Sequence, residues 1–242
     1  MIKTLRTPLA VSMLALMAAC SQPDTATNAA PATTVEAPVE QTETERLYAW
    51  FETLFEADIA RSPQGLTALG RRDDLDAYGR WDDVSDASAD ANQQRRIDRL
   101  AHMRATFDYD QLDEAGRVSY RVFEYLQETG IRQYGFRDQN YVFTQMFGPH
   151  TGMPTFLINQ HRVTNAAEAE AYISRLSGFG EVFDTLIARA DERAEADVMP
   201  PRFAFDYLIG NTRAVITGAP FDDSEADSPL LADFRAKVTA LD

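Results

Sequence analysis

Glu43-Thr-Glu-Arg-Leu-Tyr-Ala-Trp-Phe-Glu-Thr-Leu-Phe-Glu-Ala-Asp-Ile59 sets Leu47, Trp50, Phe51, Leu54, Phe55 and Ile59 at three- and four-residue steps. Side chains at that spacing share one face of an α-helix, whereas a half-buried strand would alternate. The same period recurs down the chain, with no strand pairs and no repeat of fixed length. The sequence therefore reads as all-α, a multi-helix array of amphipathic helices.

Ser62-Pro63 restarts a short helix, with Ser as N-cap and Pro at the first helical position. Gly70 can close it in the left-handed conformation. Arg71 to Asp83 is polar and turn-rich, with Tyr78 and Trp81 as anchors. A long helix follows from about Ser85 to Thr106, with Ile97, Leu100, Ala101 and Arg104 as its stripe. Asp113 can cap the next, which runs to about Gln133 and is expected to bury Val118, Val122, Tyr125, Leu126 and Thr129. The short link between them predicts an antiparallel hairpin.

Tyr134 to Asn165 differs, because Phe136, Tyr141, Phe143, Met146, Phe147 and Phe156 are interleaved with glycine and proline. The expectation is an extended loop region, then one or two helical turns near Phe156. Such a stretch either shapes a cleft or buries its aromatics as a core connection. Helices resume at Asn165, where Asn165 and Glu168 have capping-box spacing and Ala169, Tyr172, Ile173 and Leu176 form the apolar face. Gly178 and Gly180 predict a break, Met199-Pro200-Pro201 a boundary, and Ser228-Pro229 the start of the last helix. The chain stops at Asp242 inside that last pattern. The helical domain, residues 43–242, is thus expected to be the front part of a longer protein, with apolar faces exposed when expressed alone.

Upstream, Lys3 and Arg6 precede an uncharged run from Pro8 to Ala19, and Met17-Ala-Ala-Cys20 closes it with small residues. This is the layout of a secretory leader, and the run is short for a membrane span. The single cysteine, Cys20, resembles the acylated position of a bacterial lipobox; a plain cleaved leader is the other reading. Residues 1–20 are thus read as a lipoprotein signal peptide. Residues 21–42, rich in Ala, Thr, Pro, Gln and Glu and broken by Pro23, Pro31 and Pro38, are read as a disordered tether. Ser21, where an Asp would resemble the inner-membrane retention signal, implies an outer-membrane anchor facing the periplasm. The membrane, reached through that lipid anchor, is the first expected partner.

The net charge is −15, and losing Lys3 and Arg6 with residues 1–19 makes it −17. Such a surface repels phosphate backbones, so nucleic acid is excluded as a partner. No cysteine follows Cys20, which removes intrachain disulfides and thiol nucleophiles from the domain. Neither a Gly-x-Ser-x-Gly elbow nor a Gly-x-x-x-x-Gly-Lys loop is present. Carboxylates abound, but abundance supplies no geometry for acid–base catalysis. No catalytic residue is assigned.

Of the three histidines, His102 lies beside Ala101 on a helix and reads as surface or core edge. His161 follows a short helix and reads as a capping or dipole partner. His150 lies in Gly148-Pro-His-Thr-Gly152, read as a stiffened loop among aromatics, with Gln145 nearby. Gln145, Gly148 and His150 are the candidate cleft loop, a purely structural loop being the alternative. No two histidines stand one helical turn apart and none precedes a glutamate. That leaves no recognisable set of three zinc ligands with an open position.

Several stretches together resemble one family. They are Glu56-Ala-Asp-Ile-Ala-Arg-Ser-Pro-Gln-Gly-Leu-Thr-Ala-Leu-Gly70, Trp81-Asp-Asp-Val-Ser85, Gln145-Met-Phe-Gly148, Met153-Pro-Thr-Phe156, the helix Asn165 to Leu176, Pro200-Pro-Arg202 and Ser228-Pro-Leu230. In that order they resemble the family called domain of unknown function 885, over roughly residues 45–240. The resemblance implies a large, exported, all-helical protein related to zinc peptidases of the gluzincin type. It implies a His-Glu-x-x-Pro-Gly-His motif in the C-terminal half of a chain more than twice this length. Nothing here matches that motif, so no ligand is carried over and no cofactor is expected in this segment; zinc is implied for a full-length homologue. The resulting expectation is the N-terminal portion of a larger zincin-like fold, a helical scaffold without its own metal site. In full-length form its partner would be a peptide substrate. A non-catalytic envelope lipoprotein, acting as a binding or structural module, is the alternative.

Overall fold

The computed structural model describes residues 41–241. Residues 1–40, with the expected leader, Cys20 and nearly all of the expected tether, lie outside the described residues. Among those described, ten α-helices follow one another: α1 Glu43–Ile59, α2 Pro63–Ala68, α3 Leu75–Tyr78, α4 Asp86–Thr106, α5 Glu114–Gln133, α6 Pro149–Asn159, α7 Ala166–Ser177, α8 Phe179–Glu195, α9 Phe203–Val215 and α10 Pro229–Thr239. Short 3-10 segments cover Tyr109–Gln111 and Tyr134–Gln139. The fold is all-α; no strand occurs among the described residues, only one isolated bridge between Ala219 and Asp227.

Local chemistry sets the helix starts. Thr42 and Glu45 close a reciprocal capping box on α1, and Ser62, Asp74, Ser85, Asp113 and Asn165 each accept a backbone N–H in the first turn of the helix they cap. Glu168 completes no box with Asn165; its carboxylate instead accepts from Thr164 and pairs with Arg72 at 2.8 Å. Gly70 ends α2 with φ +72°, in the left-handed region that favours glycine.

α4 and α5 form an antiparallel hairpin against α1. Leu47, Leu100, Met103, Phe107, Leu112 and Tyr120 make its core, flanked by Trp50, Phe51, Phe123 and Ile131. Burying such side chains is worth roughly 1.5–3 kcal/mol each. Two stripes are rotated from the sequence expectation. On α4, Leu100 and Met103 point inward, while Ile97, Ala101 and Arg104 are exposed, Arg104 reaching Glu124 and Glu128 on α5. A guanidinium must keep its N–H donors partnered, and the carboxylates that serve Arg104 are on the outer side of the hairpin, so that turn rotates outward. On α5, Val118, Val122, Tyr125 and Leu126 are more than half exposed, and Thr129 is only half-buried. Gly116, Tyr120 and Phe123 face the core in their place. The helix carries two apolar stripes, and the inward one holds the larger rings and the glycine. A Cβ on Gly116 would stand 2.6 Å from Thr44 Oγ1, so only glycine permits this approach to α1.

The segment before α6 also departs from expectation. Tyr134–Gln139 is helical, and α6 begins at Pro149 and runs three turns. Gly148-Pro-His-Thr-Gly152 is therefore a helix start rather than a loop. Proline fits at the first helical position because its missing N–H has no partner there in any case.

Around α7 a second core forms. Ala77, Tyr78, Met153, Leu157, Ala171 and Tyr172 are buried, whereas Ile173, expected on the apolar face, is half exposed. α10 is fastened to the end of α6 by Lys237, which donates to the carbonyls of Leu157 and Ile158 at 2.7 and 3.0 Å. Asp233 accepts from both Lys237 and Tyr172. No helix among the described residues is long and apolar enough to cross a membrane.

Candidate functional site

Arg175 on α7 is wholly buried, with no carboxylate partner among the described residues. Its guanidinium donates to the carbonyls of Arg80 and Pro63, to Thr67 Oγ1 and to His161 Nδ1, at 2.8–3.2 Å. Tyr78, Trp81 and Phe156 surround it with ring faces 5.1–5.4 Å away. Burial draws this guanidinium down to about 10, so it stays charged at neutral pH. Since Arg175 has only donors, His161 Nδ1 is the acceptor, and Nε2–H donates to the Glu168 carbonyl at 3.1 Å. Burial pushes His161 down to about 4, with Arg175 opposing its protonation as well. His161 is therefore a neutral core imidazole with both nitrogens engaged, not a helix-end cap. The stretches Ser62–Gly70, Trp81–Ser85, Met153–Phe156 and Asn165–Leu176 meet around this arginine. Every polar atom there has an internal partner, so the cluster holds the fold and offers nothing to a ligand.

At the other end of α6 the opposite holds. His150 is 6% exposed, and neither Nδ1 nor Nε2 has a hydrogen-bond partner among the described residues. Burial lowers its pKa, which leaves one N–H donor and one acceptor, both unused. An unpaired buried polar group costs about 1–3 kcal/mol. Phe143 meets the imidazole edge-on at 5.8 Å and stacks on Phe183 of α8 at 6.5 Å. Leu208, Ile209 and Thr212 of α9 and Ile187 of α8 complete an open pocket of about 430 Å³, with Arg213 at its wall. Thr212 Oγ1 donates to the Leu208 carbonyl, so His150 and Arg213 carry the polar capacity.

Gly148 has φ +157°, and a Cβ there would stand 2.7 Å from His150 Nδ1. The glycine thus lets the backbone cross directly over the imidazole. Of the three cleft residues expected from the sequence, Gly148 and His150 touch. Gln145 does not line the pocket; its carbonyl accepts from Asn211 Nδ2 at 3.4 Å and ties this segment to α9. His102 is at the edge of the first core, its ring 5.3 Å from Trp50. Sequence reasoning missed Thr212 and Arg213, because nothing local announces that α9 packs on α6. It also missed Arg175, whose charge masks a core position.

Exposed apolar side chains stand on the same segments: Met146 and Phe147, just before α6, are 71% and 73% exposed, and Phe203, Phe205, Tyr207 and Ile209 of α9 are also exposed. Of these, Ile209 lines the pocket.

The model of a family described as "Bacterial protein of unknown function" (DUF885) matches residues 63–242. No curated protein and no solved structure matches the chain.

Proposed function

The chain belongs to the DUF885 family, and from that premise we propose that it is the helical scaffold of an exported lipoprotein related to zinc-dependent peptidases. In this reading the His150 pocket is part of the wall of a peptide channel. One observation carries it: a buried imidazole whose two nitrogens have no hydrogen-bond partner among the described residues, in an apolar pocket lined by Phe143 and Phe183. An apolar side chain of a peptide fills the pocket, and the adjoining peptide group supplies the partner that His150 lacks. Cys20 carries the lipid that holds the domain at the outer membrane, facing the periplasm.

The residues described do not fit zinc. No group of three or more His, Cys, Asp or Glu converges among them. His102 packs on Trp50, His161 is locked to Arg175 and Glu168, and His150 stands alone. No hydrolytic step is therefore assigned to these side chains; their part is binding and shape.

Titrating an N-acetylated apolar dipeptide amide into the chain tests the reading. Saturable binding should weaken about tenfold in His150→Leu, the loss of roughly one to two hydrogen bonds, with little change in melting temperature. Equal affinity in the variant, or no binding by the parent chain, would remove the pocket from the proposal. Cys20→Ser should abolish incorporation of labelled palmitate in cells; retained label would remove the anchor.

A further inference from the structure

A second cavity, of about 830 Å³, lies between the start of α4 and the α1–α3 side of the domain. Its α4 wall carries Arg95, Arg96 and Arg99, and Arg61 projects from beyond the end of α1. In a chain of net charge −15 an arginine readily finds a carboxylate. Here Arg61 and Arg99 share one, Asp58, each at 2.6 Å. Arg95 donates only to the side-chain amide oxygen of Asn92, and no carboxylate among the described residues lies within ion-pair distance of it or of Arg96. Burial first, then the nearby Arg61 and Arg99, pull the Arg95 guanidinium below its usual range.

The facing wall is acidic but engaged. Asp74 accepts from the Ala77 N–H, Asp83 from the Ser85 N–H, and Asp82 from Ser62 Oγ and the Gln64 N–H, one bond on each oxygen, so each Asp82 oxygen keeps further acceptor capacity. We propose that this cleft binds a polar organic oxyanion: its carboxylate or phosphate lies on Arg95, Arg61 and Arg99, and its hydroxyl or ammonium donors reach Asp82. An oxyanion supplies the acidic partner that Arg95 lacks among the described residues and adds to the single aspartate that Arg61 and Arg99 share, and Arg is suited to hold it through paired N–H donors. The site is separate from the His150 pocket, and its fate does not depend on the peptide-channel reading.

Calorimetry and thermal melting with inorganic phosphate and with citrate, against chloride at matched ionic strength, test it. Arg95→Gln is the informative variant, because Arg95 holds no other helix in place. Phosphate or citrate should bind saturably and raise the melting temperature, and Arg95→Gln should weaken that binding at least tenfold while melting no lower than the parent without anion. A preference for citrate identifies a carboxylate ligand, and for phosphate a phosphorylated one. Chloride acting as well as either, or unchanged affinity in Arg95→Gln, would overturn the proposal.

Discussion

The two ends of α6 each hold a buried histidine in opposite circumstances. His161, just past the C-terminal end, accepts from Arg175 and donates to the Glu168 carbonyl. His150, in the first turn, has no partner for either nitrogen among the described residues. Burial alone therefore does not separate a structural imidazole from a binding one; the count of satisfied nitrogens does. The first region is complete and rigidifies the domain. The second keeps an uncompensated cost that a ligand can remove.

Replacing Arg175 with Met should produce the largest effect at the complete end. It strips donors from two carbonyls, Thr67 and His161 at once. A loss of about 3 kcal/mol is expected, since each buried acceptor left unpaired costs about 1–3 kcal/mol and removing the buried charge offsets part of the sum, measured by urea unfolding. A loss under 1 kcal/mol would mean that the cluster does not hold the fold.

Acid should act on the same end. His161 titrates at about 4 when folded, and near 6.5 when unfolded. Between those values the unfolded chain binds the additional proton, so stability falls as pH drops through that window and stays level, for this group, below it. The drop is on the order of 3 kcal/mol. His150 is lowered too, so its contribution has the same sign. His161→Gln should flatten most of the profile; an unchanged slope from pH 6.5 to 4 would show that His161 is not held neutral.

The smallest change is expected at the incomplete end. His150→Leu removes two unpaired nitrogens and keeps apolar contact with Phe143 and Phe183, so urea unfolding should shift by less than about 1 kcal/mol in either direction. A cost above about 2 kcal/mol would erase the contrast between the two histidines.

Much of the helix map was legible because caps are local. Ser62-Pro63, Ser85, Asp113, Asn165 and Ser228-Pro229 stand at helix starts in the structure as in the sequence reading. The misread stretches share one cause. On α5 two apolar stripes lie side by side, and only contact with α1 selects Tyr120 and Phe123 over Val122 and Tyr125. On α7 the buried member is an arginine, which hydropathy places outside. Of the candidate site, His150 and Gly148 were legible as an imidazole beside a permissive backbone, and the pocket that gives them meaning was not.

The amino-acid order alone determined the all-α class, most of the helix starts and the family, because hydrophobic period, caps and short motifs act over a few residues. Only tertiary packing decided which stripe is buried, that four separated motifs close on Arg175, and that α8 and α9 enclose His150. Those outcomes depend on side chains distant in sequence competing for the same contact surface, and such competition has no local signature.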